Sequence, residues 1–239
     1  MYKYQHHNYA FSISTCCIKN QQLKSKIDFA IQDTFKGFLV CNTEKVVMEF
    51  VFTDDIVSFI SDISFVRVNN IKVGNLQTHF KDDEIEFLVD NNNIFKIYLN
   101  VSVNHSLRSS LRFADKSYKN NVEKFTTIFY YRIFLLFSQL WNIKNNFSYL
   151  HSSAIEILGK SILFTADAGV GKSSLLYRLS KEKDYKFIAD DLTIISSEAE
   201  VFFQGRRLSV KPYHLKYFSF LKNKLKTLML YGQKLQWLL

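Results

Sequence analysis

A chain of 239 residues, 47% of them apolar, can bury one large core or two small ones, and a single proline, Pro212, argues against proline-rich linkers or tails. The net charge of +9 is local: residues 201–239 hold eight Lys or Arg and no Asp or Glu, leaving 23 basic against 22 acidic residues elsewhere. Cys16, Cys17 and Cys41 form no CxxC pair and no metal-ligand spacing, which favours reduced thiols in a cytoplasmic protein over a disulfide framework. No basic segment followed by an apolar run opens the chain, so no signal peptide is expected.

Residues 1–112 read mostly as strands. Val46–Phe52 is rich in β-branched and aromatic residues, and Ile85–Val89 and Ile94–Asn100 flank the turn Asp90-Asn91-Asn92-Asn93, a hairpin pattern. Asp82, Asp83 and Glu84 read as a solvated turn, because no His or Cys stands at ligand spacing beside them. Residues 113–145 then change period. Val122, Phe125, Ile128, Phe129, Ile133, Leu136, Phe137, Leu140 and Trp141 fall at three- and four-residue steps, which predicts one long amphipathic helix packed against the following domain. The apolar stretch Thr126–Trp141 is interrupted by Arg132 and Gln139 and is shorter than the ~20 residues of a membrane span, so no transmembrane segment is expected.

From residue 146 the pattern alternates strand, loop and helix. His151–Ile157 reads as a strand, Leu158-Gly159-Lys160 as a tight turn and Ser161–Thr165 as a second strand. A helix is expected from Lys172 to about Lys181, a strand at Phe187–Ala189 ending in Asp190-Asp191, and another at Thr193–Ile195.

Between the second strand and the helix stands Ala166-Asp167-Ala168-Gly169-Val170-Gly171-Lys172-Ser173, against the pattern G-x-x-x-x-G-K-[ST] of phosphate-binding loops. Glycines let such a loop curl so that successive N–H groups face phosphate oxygens, and the helix N-terminus adds positive potential. The expected nucleotide contacts are Asp167, Ala168, Gly169, Val170, Gly171, Lys172, Ser173 and Ser174. Lys172 reaches the β- and γ-phosphates, and the Ser173 hydroxyl coordinates Mg²⁺. Ala166 takes the place of the first glycine, which alanine tolerates where φ stays negative. No N-K-x-D guanine motif occurs, since Asn223-Lys224-Leu225-Lys226 lacks the aspartate, so ATP is the expected nucleotide. Asp190-Asp191 follows Lys172 by only 18 positions, a spacing that brings two carboxylates close to the phosphates. Such a pair suits metal binding and deprotonation of a hydroxyl nucleophile. His151 starts the strand paired with the loop-bearing one, which points it toward the γ-phosphate.

These residues resemble the catalytic domain of HPr kinase/phosphorylase: His151, the carboxylate Glu156, the turn at Gly159, the loop Asp167–Ser173 and the pair Asp190-Asp191. The segment Leu150-His151-Ser152-Ser153-Ala154-Ile155 is similar to the L-H-x-S-x-(V/I) run of HPr-kinase-related kinases found beside peptide biosynthesis genes. The resemblance implies an α/β fold with a P-loop core of the PEP-carboxykinase/HPr-kinase kind over residues 146–239, short at its C-terminus, behind a β-rich N-terminal domain. It implies an ATP- and Mg²⁺-dependent kinase that phosphorylates a serine-type hydroxyl on a peptide or small protein. The alternative is a nucleotide-binding regulatory or accessory protein without transfer activity. In that family one aspartate of the pair is the base and the other helps hold the metal. By position Asp190 and Asp191 share these roles, Ser173 and Asp191 forming the metal side, and His151 assists near the transferred phosphate.

The basic segment Arg206–Lys226 carries Phe218, Leu221, Leu225 and Leu228 at helical steps. It reads as a helix over the core, or as a surface for an acidic peptide acceptor or an anionic membrane. No nucleic-acid-reading motif accompanies the charge, so nucleic acid is not an expected partner, and homo-oligomerisation stays open.

Overall fold

The computed structural model describes residues 1–40, 45–62, 64–101, 121–167, 169–179, 184–204, 208–209 and 236–237. Ala168, Cys41 and most of the basic segment, including Lys222, Lys224 and Lys226, lie outside them. The fold is mixed α/β, with one large sheet and few helices, and divides into two compact units, Met1–Phe137 and Ser138–Leu239. No helix among the described residues is long and apolar enough to cross a membrane.

The first unit is built on a nine-stranded sheet. Its strands are β1 (Tyr2–His6), β2 (Tyr9–Cys17), β3 (Leu39–Val40), β4 (Met48–Thr53), β5 (Val66–Val68), β6 (Ile71–Val73), β7 (Gln77–Lys81), β8 (Glu86–Asp90) and β9 (Lys96–Asn100), in spatial order β3-β1-β2-β4-β9-β8-β7-β6-β5. β2, β4 and β9 run parallel and the other pairs antiparallel. The expected hairpin around Asp90–Asn93 is present, with Leu88 opposite Tyr98.

Parallel neighbours need a crossover. Between β2 and β4 it contains the helix Gln21–Thr34, in a region expected to be mostly strand. Asn20 caps it, its side chain accepting from the Leu23 N–H at 3.0 Å, and Ile27, Ala30 and Ile31 form its buried stripe. The core is aromatic. Phe11, Phe50 and Phe52 of the sheet meet Phe35, Phe125, Phe129 and Phe134 at ring separations such as 4.8 Å for Phe11–Phe134 and 4.9 Å for Phe52–Phe129.

The long helix meets its expectation in part. Its residues Phe125, Phe129 and Phe134 pack on the first unit's own sheet, while from Ser138 on it belongs to the second unit, where Ser138 and Asn142 hydrogen-bond with the Tyr149 hydroxyl. It is not one regular α-helix: Asn121–Ile128 and Leu135–Lys144 are separated by a π-helical stretch, Phe129–Phe134. A π turn inserts residues into the 3.6-residue period and rotates the helix beyond it. Leu136 and Leu140, in phase on a regular helix, are therefore exposed, while Ile133, Phe134 and Phe137 are buried. Nor is the Asp82–Glu84 turn simply solvated. Arg132 of the π-helical stretch donates to Asp82 Oδ2 at 2.7 Å and to Glu84 Oε2 at 3.0 Å.

The second unit holds two three-stranded sheets. One has the order β12-β11-β13, formed by β11 (Ser152–Ile157), β12 (Lys160–Thr165) and β13 (Tyr185–Ala189). The other has the order β10-β14-β15, formed by β10 (Phe147–Leu150), β14 (Thr193–Ser196) and β15 (Val201–Phe203). A further pair, β16 (Leu208–Ser209) with β17 (Gln236–Trp237), is antiparallel. β11 and β12 form a hairpin closed by Leu158 and Gly159 at φ +52° and +74°, the two positive angles of a type I′ turn.

Candidate functional site

The site arises from strand direction. β11 is the middle strand and runs antiparallel to both β12 and β13, with Ser152 opposite Thr165 and Ala154 opposite Ala189. The start of β11 and the ends of β12 and β13 therefore share one edge. His151 precedes β11, Ala166 follows β12 and Asp190 follows β13, so three separate stretches of sequence converge there. The same edge is where the chain changes sheet twice. Leu150 of β10 pairs with Thr193 of β14 on the far side of His151 and Asp190-Asp191. Ser152 Oγ donates to Thr193 Oγ1 at 2.8 Å and Thr193 Oγ1 donates to the Ser152 carbonyl at 3.1 Å, a buried stitch between the two crossings.

The loop after β12 enters the helix Lys172–Leu179. Gly169 and Gly171 adopt φ +85° and +110°, conformations that side-chain-bearing residues rarely take. A Cβ at either would meet no atom within 4 Å, so backbone conformation rather than crowding demands glycine there. The first amide bonded within the helix is that of Leu175, to the Gly171 carbonyl at 3.0 Å. By helix geometry the amides of Lys172, Ser173 and Ser174 have no intrahelical acceptor. Asp167, Gly169 and Val170 are exposed and Gly171, Lys172, Ser173 and Ser174 half-buried. Lys172 Nζ folds back onto its own loop, donating to the carbonyls of Ala166 at 2.5 Å and Asp167 at 3.2 Å.

The two aspartates diverge. Asp190 Oδ1 accepts from Ser173 Oγ at 2.8 Å and from Ser153 Oγ at 2.9 Å. Asp191 adopts φ +79°, which turns the chain, and its Oδ1 lies 3.2 Å from His151 Nε2. His151 and Asp191 are about half exposed, at 51% and 48%. A β-bulge at the Ala154/Ile155 step of the β11–β13 pairing precedes this divergence, and bulges redirect strand ends in this way.

The structure thus joins Ser173 to Asp190 and His151 to Asp191. Ser173 and Asp191, expected together on the metal side, make different partnerships. Sequence reasoning did not single out Ser153; its one signal was the serine of the L-H-x-S-x-(V/I) run. Glu156 stands apart, four positions into β11 from Ser152, where it pairs across the strand with Lys186 at 2.7 Å.

A hydroxyl and a carboxylate oxygen 2.8 Å apart are hard donors of the type Mg²⁺ takes, and that ion commonly keeps water and phosphate for its other positions. Among the described residues no group of three or more His, Cys, Asp or Glu forms a closed metal cage. The residues fit an open, phosphate-sharing cation site. Comparison with family models, curated proteins and solved structures finds no match.

Proposed function

We propose that this chain is an ATP-dependent kinase of the P-loop type that transfers a phosphoryl group to a serine-type hydroxyl on a peptide or small protein. The observation that carries the reading is the Ser173–Asp190 contact of 2.8 Å, set where a loop with two left-handed glycines opens a helix. Phosphoryl transfer needs positioned positive charge on the phosphates and a base at the acceptor. The backbone N–H groups of Gly169 through Ser174 and the helix N-terminus supply the first. Lys172 exchanges its loop carbonyls for phosphate oxygens, a charge-assisted contact in place of neutral ones.

Ser173 and Asp190 are the residues that would hold Mg²⁺, which when bound neutralises phosphate charge. Asp191 takes the proton of the acceptor hydroxyl as its oxygen bonds to phosphorus and the bond to the leaving phosphate oxygen breaks. His151 holds the Asp191 carboxylate toward the acceptor. The β-rich first unit is consistent with the HPr-kinase-like resemblance, which supports the same class of acceptor.

Titration calorimetry with Mg·ATP on the full chain tests the reading. Wild type should bind, and Lys172→Ala should lose measurable binding. Equal affinities would remove the loop as the nucleotide site. Binding without turnover on any peptide acceptor would favour a regulatory nucleotide-binding role.

A further inference from the structure

A carboxylate at a strand end rotates about a broad terminal torsion, so one contact does not fix it. Asp190 has two, and both fall on Oδ1: Ser173 Oγ at 2.8 Å and Ser153 Oγ at 2.9 Å. The donors differ in kind. Ser173 stands in the first turn of the helix and is half-buried, and in the kinase reading its oxygen turns to the cation. Ser153 is fully buried on β11, the middle strand, locked in register opposite Phe164. Its neighbour Ser152 directs its own hydroxyl to Thr193, since successive strand residues face opposite sides. Two adjacent buried serines thus serve two different links.

We infer that Ser153 is a positioning residue for the Asp190 carboxylate and thereby sets how tightly Ser173 and Asp190 hold the divalent cation. The inference rests on the kinase reading above. Ser153 holds Oδ1 from the sheet side whether or not Ser173 is engaged elsewhere, so the carboxylate does not have to be reoriented when the cation arrives. Groups that orient a metal-binding carboxylate typically change metal affinity by about 10- to 100-fold when lost.

The test is calorimetric titration of the full chain with ATP, once with Mg²⁺ and once with EDTA. Ser153→Ala should weaken Mg·ATP binding by about 10- to 100-fold and leave metal-free ATP binding unchanged. Ser153→Thr, which keeps the hydroxyl, should recover most of the loss. Ser152→Ala should lower the melting temperature without altering the magnesium dependence. Should Ser153→Ala not fold, Ser153→Cys, a weak donor of similar size, carries the same expectation. Wild-type magnesium dependence in the variant overturns the inference alone, and so does an equal loss with and without Mg²⁺. A wild type that binds no ATP in either buffer overturns the kinase reading and this inference with it.

Discussion

Each unit contains a histidine–carboxylate pair, and the two are built for opposite ends. In the first unit His79 Nε2 lies 2.9 Å from Glu86 Oε1, with side chains only 7% and 6% exposed. Glu86 Oε2 accepts from Asn100 at 2.7 Å and from Lys81 at 3.3 Å, so both of its oxygens are engaged. In the second unit His151 and Asp191 lie 3.2 Å apart at about half exposure, at the edge where three chain segments meet. The first arrangement is closed and spends its hydrogen-bonding capacity on the fold. The second keeps its groups open to solvent. Asp190 shows a third pattern: among the described residues its carboxylate accepts from two hydroxyls, those of Ser153 and Ser173.

The comparison breaks most visibly in the second unit. Asp191→Asn should cut phosphoryl transfer by about 10²–10⁴-fold, the usual cost of losing a general base. Mg·ATP affinity should stay within a few-fold, because Ser173 and Asp190 remain. Asp190→Asn should show the reverse weighting, with the loss concentrated in magnesium-dependent binding. Measuring turnover and calorimetric affinity on both variants separates the roles. A base at Asp190, the assignment drawn from position in the sequence, would exchange the two outcomes.

The closed pair should show up in stability instead. Glu86→Ala leaves His79 buried without its carboxylate and should cost about 2–4 kcal/mol in thermal unfolding, with nucleotide affinity unchanged. The pH dependence arises from the same contacts. The His79 hydrogen bond is the largest influence and holds the Glu86 carboxyl down to about 2, against an ordinary value of 4.5; burial opposes it, while Asn100 and Lys81 add to the lowering. A carboxyl depressed in the folded state contributes stability above its unfolded value, and that contribution is lost as pH falls through the folded one. The melting-temperature gap between wild type and Glu86→Gln should therefore shrink as pH drops from about 4.5 toward 2. A gap that holds constant across that window would mean the ionised carboxylate is not what stabilises the first unit.

The sequence carried the elements of the second unit more fully than the partnerships within them. Leu158-Gly159, the glycines of the loop and the apolar run into Asp190-Asp191 are local signals, and each marks a turn, a loop or a strand end seen in the structure. Which aspartate faces Ser173 is not local. It depends on a positive φ at Asp191, a conformation that aspartate tolerates but its sequence does not announce. Ser153 was hidden for a related reason, since a strand serine shows its purpose only once the strand it faces is known. In the first unit the helix Gln21–Thr34 escaped because strand-like runs surround it, although Asn20 and the spacing of Leu23, Ile27, Ala30 and Ile31 mark a cap and a buried stripe. The π-helical stretch escaped because hydrophobic periodicity assumes a constant 3.6-residue turn, and the exposed Leu136 and Leu140 are the result.

The smallest expected effect concerns Glu156, where resemblance and geometry part. The resemblance places a carboxylate at this position among the matching residues of a catalytic domain. In the structure Glu156 is the penultimate residue of β11, near the hairpin turn and away from the strand end where His151, Ser153, Asp190 and Asp191 gather. Strand alternation puts it on the side of Ser152, opposite to the Ser153 hydroxyl that reaches Asp190. Its partner there is Lys186, directly across in register at 2.7 Å, with the lysine side chain 72% exposed. An ion pair in that much solvent is worth about 0–1 kcal/mol and is weakened further by salt. Glu156→Gln should therefore shift the melting temperature by no more than a few degrees, and by less at high ionic strength. Mg·ATP affinity and turnover should match wild type within error. Thermal melts at two salt concentrations, run beside the turnover assay used for Asp191→Asn, read both. A loss of turnover with the fold intact would bring Glu156 into the site and show that the edge defined by the ends of β11, β12 and β13 is too narrow a boundary for it.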